Sequence, residues 1–345
     1  MTTSRNDDKT QQASTQSKEG ASPSPSVRGA CRPSPAERRA AWVQACRIRT
    51  LPLAAAGSFV AAGVASAFGQ FRWPVLVLMF LTSILLQVIA NFADDYGDLA
   101  SGLDDETRVG PRRGMQRGII SASEMKRVLV AMCAVTFVVG VALIAVSFAG
   151  GPAMTGGSWV AIGVFVVLGV ACIAAAITYT IGKHPYGYLG LGDIMSGLFF
   201  GIVAVVGGSF LYLHAFTWAS LVAGLALMLP VMGVMNVNNM RDARADAAKG
   251  KRTVANRLGD PAMRVYETAL LGASAALFVA AAALCGARSP ITYTLVVASL
   301  ALWARVLVAL WRIPDPERFD RLMAPTSMGT VLVALVWTVC VALVG

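Results

Sequence analysis

Residues 74–98 read PVLVLMFLTSILLQVIANFADDYGD. The first seventeen, Pro74 to Ala90, carry no charge. Asp94, Asp95 and Asp98 then arrive within five positions. About 20 apolar residues in helical form cross a bilayer. The apolar run is continuous rather than alternating, which favours a spanning helix over a barrel strand. The stretch therefore reads as a membrane helix that ends in a cluster of carboxylates.

The rest of the chain repeats the first half of that pattern. Of 345 residues, 56% are hydrophobic and only 14% charged, against about 25% charged in soluble domains. Nine apolar segments appear, near 50–69, 74–97, 127–149, 158–181, 194–213, 217–238, 267–286, 290–311 and 324–344. The expected fold is all-α: a polytopic membrane protein of about nine transmembrane helices. The net charge of +10 follows the positive-inside rule and needs no nucleic acid. Arg108, Arg112, Arg113, Arg117, Lys126 and Arg127 follow span two, and Arg241, Arg244, Lys249, Lys251, Arg252, Arg257 and Arg264 surround the end of span six. The opposite side has only Arg72 and Arg288. The N-terminus and these charged segments are thus expected in the cytoplasm, with Gly345 outside.

Residues 1–40 are rich in Ser, Thr, Gln, Pro and charge and are expected to be a disordered tail before a membrane domain over 41–345. The tail has no apolar core of the kind a secretory signal needs. Residues 36–48, AERRAAWVQACRI, suit a short helix on the membrane surface. The six cysteines are scattered, without CxxC or Cys/His spacing, so neither a disulfide framework nor a zinc site is indicated.

On a helix, Asn91, Asp94, Asp95 and Asp98 share an arc of about 100°. Like charges so close, at a membrane boundary, need a positive partner, and an all-oxygen donor set suits Mg²⁺. A second cluster lies in NVNNMRDARADAAKGKR, residues 236–252, where Asn238, Asp242 and Asp246 are spaced by four. Asn91 and Asp95 show the same N-x-x-x-D step. Four spans separate the two segments, so both emerge on one side, as a weak internal repeat. Either cluster alone reads as readily as a solvated charged face. Jointly they sit on apolar helices, where polar residues are costly and usually functional. Cations follow each one. Carboxylates, asparagines and nearby Lys or Arg fit a metal-bound polyphosphate, and no GxxxxGK[ST] pattern points to a nucleotide. A diphosphate at a membrane face with apolar helices behind it suggests an isoprenyl diphosphate, held as a leaving group.

With these blocks in view, the sequence resembles the UbiA superfamily of intramembrane aromatic prenyltransferases, and within it the 1,4-dihydroxy-2-naphthoate branch of menaquinone biosynthesis. RIRTLP (47–52), NFADDYGDLASGLDDETRVGPRRGMQRG (91–118), GKHPYGYLGLGD (182–193) and NNMRDARADAAKGKRTVANRLG (238–259) carry the likeness. The resemblance implies nine helices around a central cavity in a bacterial inner membrane. It also implies Mg²⁺-dependent transfer from a polyprenyl diphosphate to an aromatic acceptor, with the naphthoate carboxylate lost as CO₂. Carried over by motif, Asn91, Asp95, Asn238, Asp242 and Asp246 would hold Mg²⁺–diphosphate, with Asp95, Asp242 and Asp246 the catalytic acids. Lys249, Lys251, Arg252 and either Arg108 or Arg113 would meet diphosphate oxygens. Many relatives carry a third carboxylate eight residues after the first asparagine, where this chain has Leu99. Asp98 or Asp104 takes that place.

Tyr179, Lys183 and Asp193 flank the connection after span four. They are expected to close over the substrates, with Lys183 on phosphate or on the acceptor carboxylate. The rival reading is an ordinary cytoplasmic lysine beside an interfacial tyrosine. Arg47 either meets the acceptor's carboxylate or anchors a helix at the head groups. Gly197, Gly201, Gly207 and Gly208 have the spacing of close helix packing. The same enzyme class acting on 4-hydroxybenzoate or homogentisate is an alternative. From a different class, a divalent-cation transporter would place its acids near the bilayer midplane in broken helices.

Overall fold

A computed structural model describes residues 33–48, 50–101, 112–149, 156–183, 185–248, 250 and 253–343. The tail expected over residues 1–40 lies, up to residue 32, outside this set. The compact unit starts at Pro35, where helix α1 (Pro35–Ala45) begins. Six residues of the 1–40 span, 35–40, are therefore helical and belong to the short helix expected from residue 36; Ala41 and Ala45 are buried and draw the preceding turn into order.

The apolar runs form helices because a backbone in hydrocarbon must satisfy its own N–H and C=O groups. They are α2 (Leu51–Ala67), α3 (Trp73–Ala100), α4 (Ala122–Ala149), α5 (Gly156–Thr178), α6 (Gly192–Leu213) and α7 (Trp218–Ala248). After a short helix, α8 (Val254–Leu258), come α9 (Asp260–Leu284), α10 (Pro290–Arg312) and α11 (Pro316–Ala342). Eight of these have membrane length and hydropathy, and α2, with 17 residues, is about 26 Å long. α10 is interrupted at Leu300.

Helix lengths decide where the polar clusters stand. α3 has 28 residues and α7 has 31, about 42 and 46 Å, against about 30 Å of hydrocarbon. Both run past the membrane slab as unbroken helix. The sequence boundary for span six, residue 238, falls ten residues short. Ala243, Ala245, Ala247 and Ala248 are strong helix formers and carry α7 onward through the second cluster. Asn238, Asp242 and Asp246 thus share one face of continuous helix.

Small residues set the closest helix contacts. On α6, whose middle Leu198–Gly207 is wound as π-helix, a Cβ on Gly201 would lie 2.5 Å from Met228 Cα of α7. A Cβ on Gly97, inside the quoted stretch, would lie 2.6 Å from the Thr180 carbonyl oxygen just after α5. α5 itself buries no residue within the bundle and forms an outer wall. The largest buried cluster centres on Phe278, Trp303 and Trp337, with the Trp337 indole N–H donating to the Phe278 carbonyl at 2.8 Å. Gly201→Val is expected to cost about 1–3 kcal/mol through overpacking. Gly163→Val on α5, where nothing lies within 4 Å, should leave the thermal midpoint in detergent unchanged.

Candidate active site

The corner between α1 and α2 places a charge against the first cluster. Arg47 there has φ of +51°, a left-handed conformation that is strained for a residue with a side chain and is found at functional sites. Thr50 holds it, donating its backbone N–H and its hydroxyl to the Arg47 carbonyl at 2.9 and 3.0 Å. The Asn91 side-chain amide donates to the Cys46 carbonyl at 3.0 Å, and Gln87 donates to Asn91 Oδ1 at 2.9 Å. So fixed, Arg47 reaches Asp94 Oδ2 at 2.8 Å and Asp95 Oδ1 at 3.1 Å. Arg113, beside buried Met115, which packs with Ala41 and Ala45 of α1, reaches Asp95 Oδ1 at 2.9 Å and Asp98 Oδ2 at 3.1 Å. Tyr188, in the 3₁₀ turn Tyr186–Leu189, donates its hydroxyl to Asp98 Oδ1 at 2.8 Å.

Two arginines therefore supply the positive partner that the three aspartates require. Burial works against the charge on Arg47, but Asp94 and Asp95 outweigh it and hold its pKa above the ordinary value. Arg113 has its pKa lowered, by burial first and then by Arg47. Burial and the neighbouring Asp98 raise the Tyr188 phenol.

The second cluster contains its own arginine. Arg241 donates through Nε and Nη2 to both oxygens of Asp242, each at 2.7 Å, and through Nη2 to Asn238 at 2.8 Å. Its Nη1 reaches Asp320 in α11 at 3.0 Å. Asn239 donates to buried Asp193 at 2.6 Å.

One cavity of about 910 Å³ joins the two helix ends. Asn91, Asp94, Asp98, Arg47 and Arg113 stand on one side, and Asn238, Asn239, Arg241, Asp242 and Asp246 on the other. Tyr179, Tyr186 and Tyr188 also line it. It runs down between the helices to Met79, Leu143, Ile144, Phe165 and Leu211. From Asp98 to Met79 along α3 is about 28 Å. The charged groups gather at one end, and the remaining wall is mostly apolar, with hydroxyls at Thr82, Ser83 and Thr136. The acids lie at helix ends and not at mid-depth in broken helices.

Several sequence expectations land elsewhere. Asp95 is not on the cavity wall: it lies behind it, 3% exposed, bonded to both arginines, while Asp94 faces the cavity in its place. Asp193 is also off the wall and accepts a hydrogen bond from Asn239, which lines the cavity. Lys183 is exposed outside the lining. Arg47 partners the first cluster, a role between the two considered for it. Asp104, Arg108, Lys249, Lys251 and Arg252 lie outside the described residues. Sequence reasoning passed over Gln87, Tyr188, Arg241 and Asp320. Only Arg241, between Asn238 and Asp242, carried a signal by proximity.

Among the described residues, no three Asp, Glu, His or Cys side chains converge to chelate an ion unaided. Mg²⁺ rarely needs that, since it commonly takes one or two carboxylates together with substrate phosphate. At the two helix ends the wall offers hard amide and carboxylate oxygens. Asp94 Oδ1 is buried with no hydrogen-bond partner among the described residues. The donor set fits a hard divalent cation.

An all-helical membrane bundle with one amphiphilic interior cavity, polar at a single end, defines an intramembrane protein for amphiphilic molecules. The chain belongs to the UbiA prenyltransferase family, whose model matches residues 55–332. It is 38% identical over 310 residues to a 1,4-dihydroxy-2-naphthoate octaprenyltransferase of Haemophilus influenzae, covering 88% of this chain and 96% of that one. It is 41% identical over 234 residues to the protein of the same name in Escherichia coli, covering 68% and 73%. Among solved structures, an apo UbiA homolog from Aeropyrum pernix K1 superposes with TM-score 0.59 at 18% identity, covering 81% of this chain and 94% of that one. A UbiA homolog from Archaeoglobus fulgidus bound to GPP and Mg²⁺ gives 0.57 at 13% identity, covering 86% and 99%. These two share the fold.

Arg47→Met would leave Asp94 and Asp95 without their shared partner. It should cost up to about 3 kcal/mol, the lower end for breaking a buried pair. Adding Asp95→Asn should recover part of the loss, as read by thermal unfolding in detergent.

Proposed function

We propose that the chain transfers a polyprenyl group from polyprenyl diphosphate to 1,4-dihydroxy-2-naphthoate, with loss of CO₂, to give demethylmenaquinol, the hydroquinone form of demethylmenaquinone. The observation that carries this reading is the cavity with two acid–amide helix ends at its mouth and a mostly apolar trough below. That shape suits a diphosphate head on a long hydrocarbon tail. The names of the relatives support the naphthoate acceptor.

Asn91, Asp94, Asp98, Asn238, Asp242 and Asp246 would hold Mg²⁺, which neutralises charge on the departing diphosphate when bound. Asp95 supports this set from behind by fixing Arg47 and Arg113. With Mg²⁺ held by the acids, Arg47 and Arg113 would have N–H donors available for diphosphate oxygens, which guanidinium groups bind well. Arg108, Lys249, Lys251 and Arg252, on the adjoining segments, would add to that charge, and Lys183 would approach from the rim.

In the reaction the prenyl C–O bond breaks, and its electron pair leaves with diphosphate. The electron-rich naphthoate ring attacks the allylic carbon, forming the new C–C bond. Release of CO₂ returns a bonding pair to the ring and restores aromaticity, so no strong base is required. The rings of Tyr179 and Tyr186, 5.3 Å apart, present π-faces near the developing cation, and the apolar wall keeps water from it. The positive-inside pattern supports a bacterial cytoplasmic membrane, with the cavity mouth facing the cytoplasm and the C-terminus outside.

The test uses membranes containing the protein, labelled polyprenyl diphosphate and 1,4-dihydroxy-2-naphthoate, with Mg²⁺ or with a chelator. The expected product is demethylmenaquinol, identified by mass as such or as the quinone it becomes on oxidation in air, formed only with Mg²⁺. Asp94→Asn and Asp242→Asn should each lower the rate by about 10²-fold or more. Prenylation of 4-hydroxybenzoate instead would overturn the acceptor. Absence of any prenylated aromatic from folded protein would overturn the reaction.

A further inference from the structure

Asp242 faces the cavity, yet both of its oxygens are held by the guanidinium of the preceding residue, Arg241, at 2.7 Å each. The same group holds the Asn238 side-chain oxygen. Two of the three second-cluster groups are therefore engaged by Arg241. Neither can turn fully to a cation until that guanidinium moves, and a guanidinium 14% exposed cannot be left without a counter-charge. The structure places a second acceptor within its reach. Asp320, 75% exposed and also on the cavity wall, already takes Nη1 at 3.0 Å.

Asp320 is well anchored for this. It begins the α-helical part of α11, where a carboxylate complements the helix N-terminus. Phe319 before it is fully buried beneath the Arg264 guanidinium, 4.9 Å from the ring centroid. Leu322 after it is buried as well. A neighbouring pair, Arg244 with Glu317 at 3.1 Å, ties the same two helices. Arg241 can swing between a fixed Asp320 and the second cluster without any helix moving.

We propose that Asp320 is a positioning residue that takes the Arg241 guanidinium when Asn238 and Asp242 engage a metal-bound diphosphate. Arg241 blocks the second cluster while the cavity is empty. On loading it rests on Asp320 and turns its remaining N–H groups toward the phosphate. The exchange keeps the α7 acids neutralised in both states and couples metal binding to diphosphate binding. This inference rests on the diphosphate reading of the site.

The experiment measures Mn²⁺ binding by electron paramagnetic resonance on the full-length protein in detergent. It is run with and without a non-reactive thiolo analogue of a prenyl diphosphate. Asp320→Asn, at an exposed position, should keep the wild-type thermal midpoint and weaken Mn²⁺ binding in the presence of the analogue by about five-fold, the scale of an exposed ion pair. Asp320→Glu should restore it. Arg241→Gln should tighten Mn²⁺ binding without the analogue, and in that background Asp320→Asn should have no further effect. Wild-type affinity in Asp320→Asn overturns the proposal alone, as does an equal loss with and without Arg241. Failure of the wild type to bind Mn²⁺ with the analogue overturns the diphosphate reading and this inference with it.

Discussion

Three aspartates on one turn and a half of helix, at the edge of a membrane, cannot stand without positive charge. Arg47 and Arg113 answer that need, and much of the structure exists to place them. The strained corner at Arg47, its Thr50 clamp, the Asn91 bond to Cys46, and the packing of Met115 beneath α1 all converge on two guanidinium groups. Desolvating a carboxylate costs several kcal/mol, which is recovered only with close, hydrogen-bonded partners. The geometry at Asp94, Asp95 and Asp98 meets that condition within 3.1 Å.

The same arginines give the site its character. A cluster neutralised by guanidinium is stable while empty and still able to exchange partners, because arginine binds phosphate as readily as carboxylate. The second cluster repeats the device with Arg241. Tyr188 adds a fixed hydroxyl on Asp98, which ties the turn between α5 and α6 to the end of α3. Below this polar layer the cavity walls carry no charge and are mostly hydrocarbon, with a few hydroxyls such as Thr82, Ser83 and Thr136, and this contrast defines where a head and a tail belong.

The fold was largely legible in the sequence. Uncharged runs of membrane length have one stable backbone solution in lipid, so span number and order followed from hydropathy. The missed boundary has a local cause. α7 outlasts its apolar run because alanines between Asp242 and Ala248 favour helix. The site was legible in kind and not in detail. The N-x-x-x-D spacing identified the faces, but an arc of about 100° on α3 is wide enough to split. Asp94 and Asp98 face the cavity, and Asp95 lies behind them, bonded to both arginines.

The sequence by itself determined a helical membrane protein with two acid–amide helix ends on one side, because hydropathy and helical period act within a single segment. Only the tertiary structure decided which cation meets which acid. Arg47 to Asp94 spans 47 residues, Arg113 to Asp98 spans 15, Arg241 to Asp320 spans 79, and Tyr188 to Asp98 spans 90. Such pairings depend on how helices pack and where corners turn. No periodicity records them, because electrostatic contact is a property of distance in space and not of spacing along the chain.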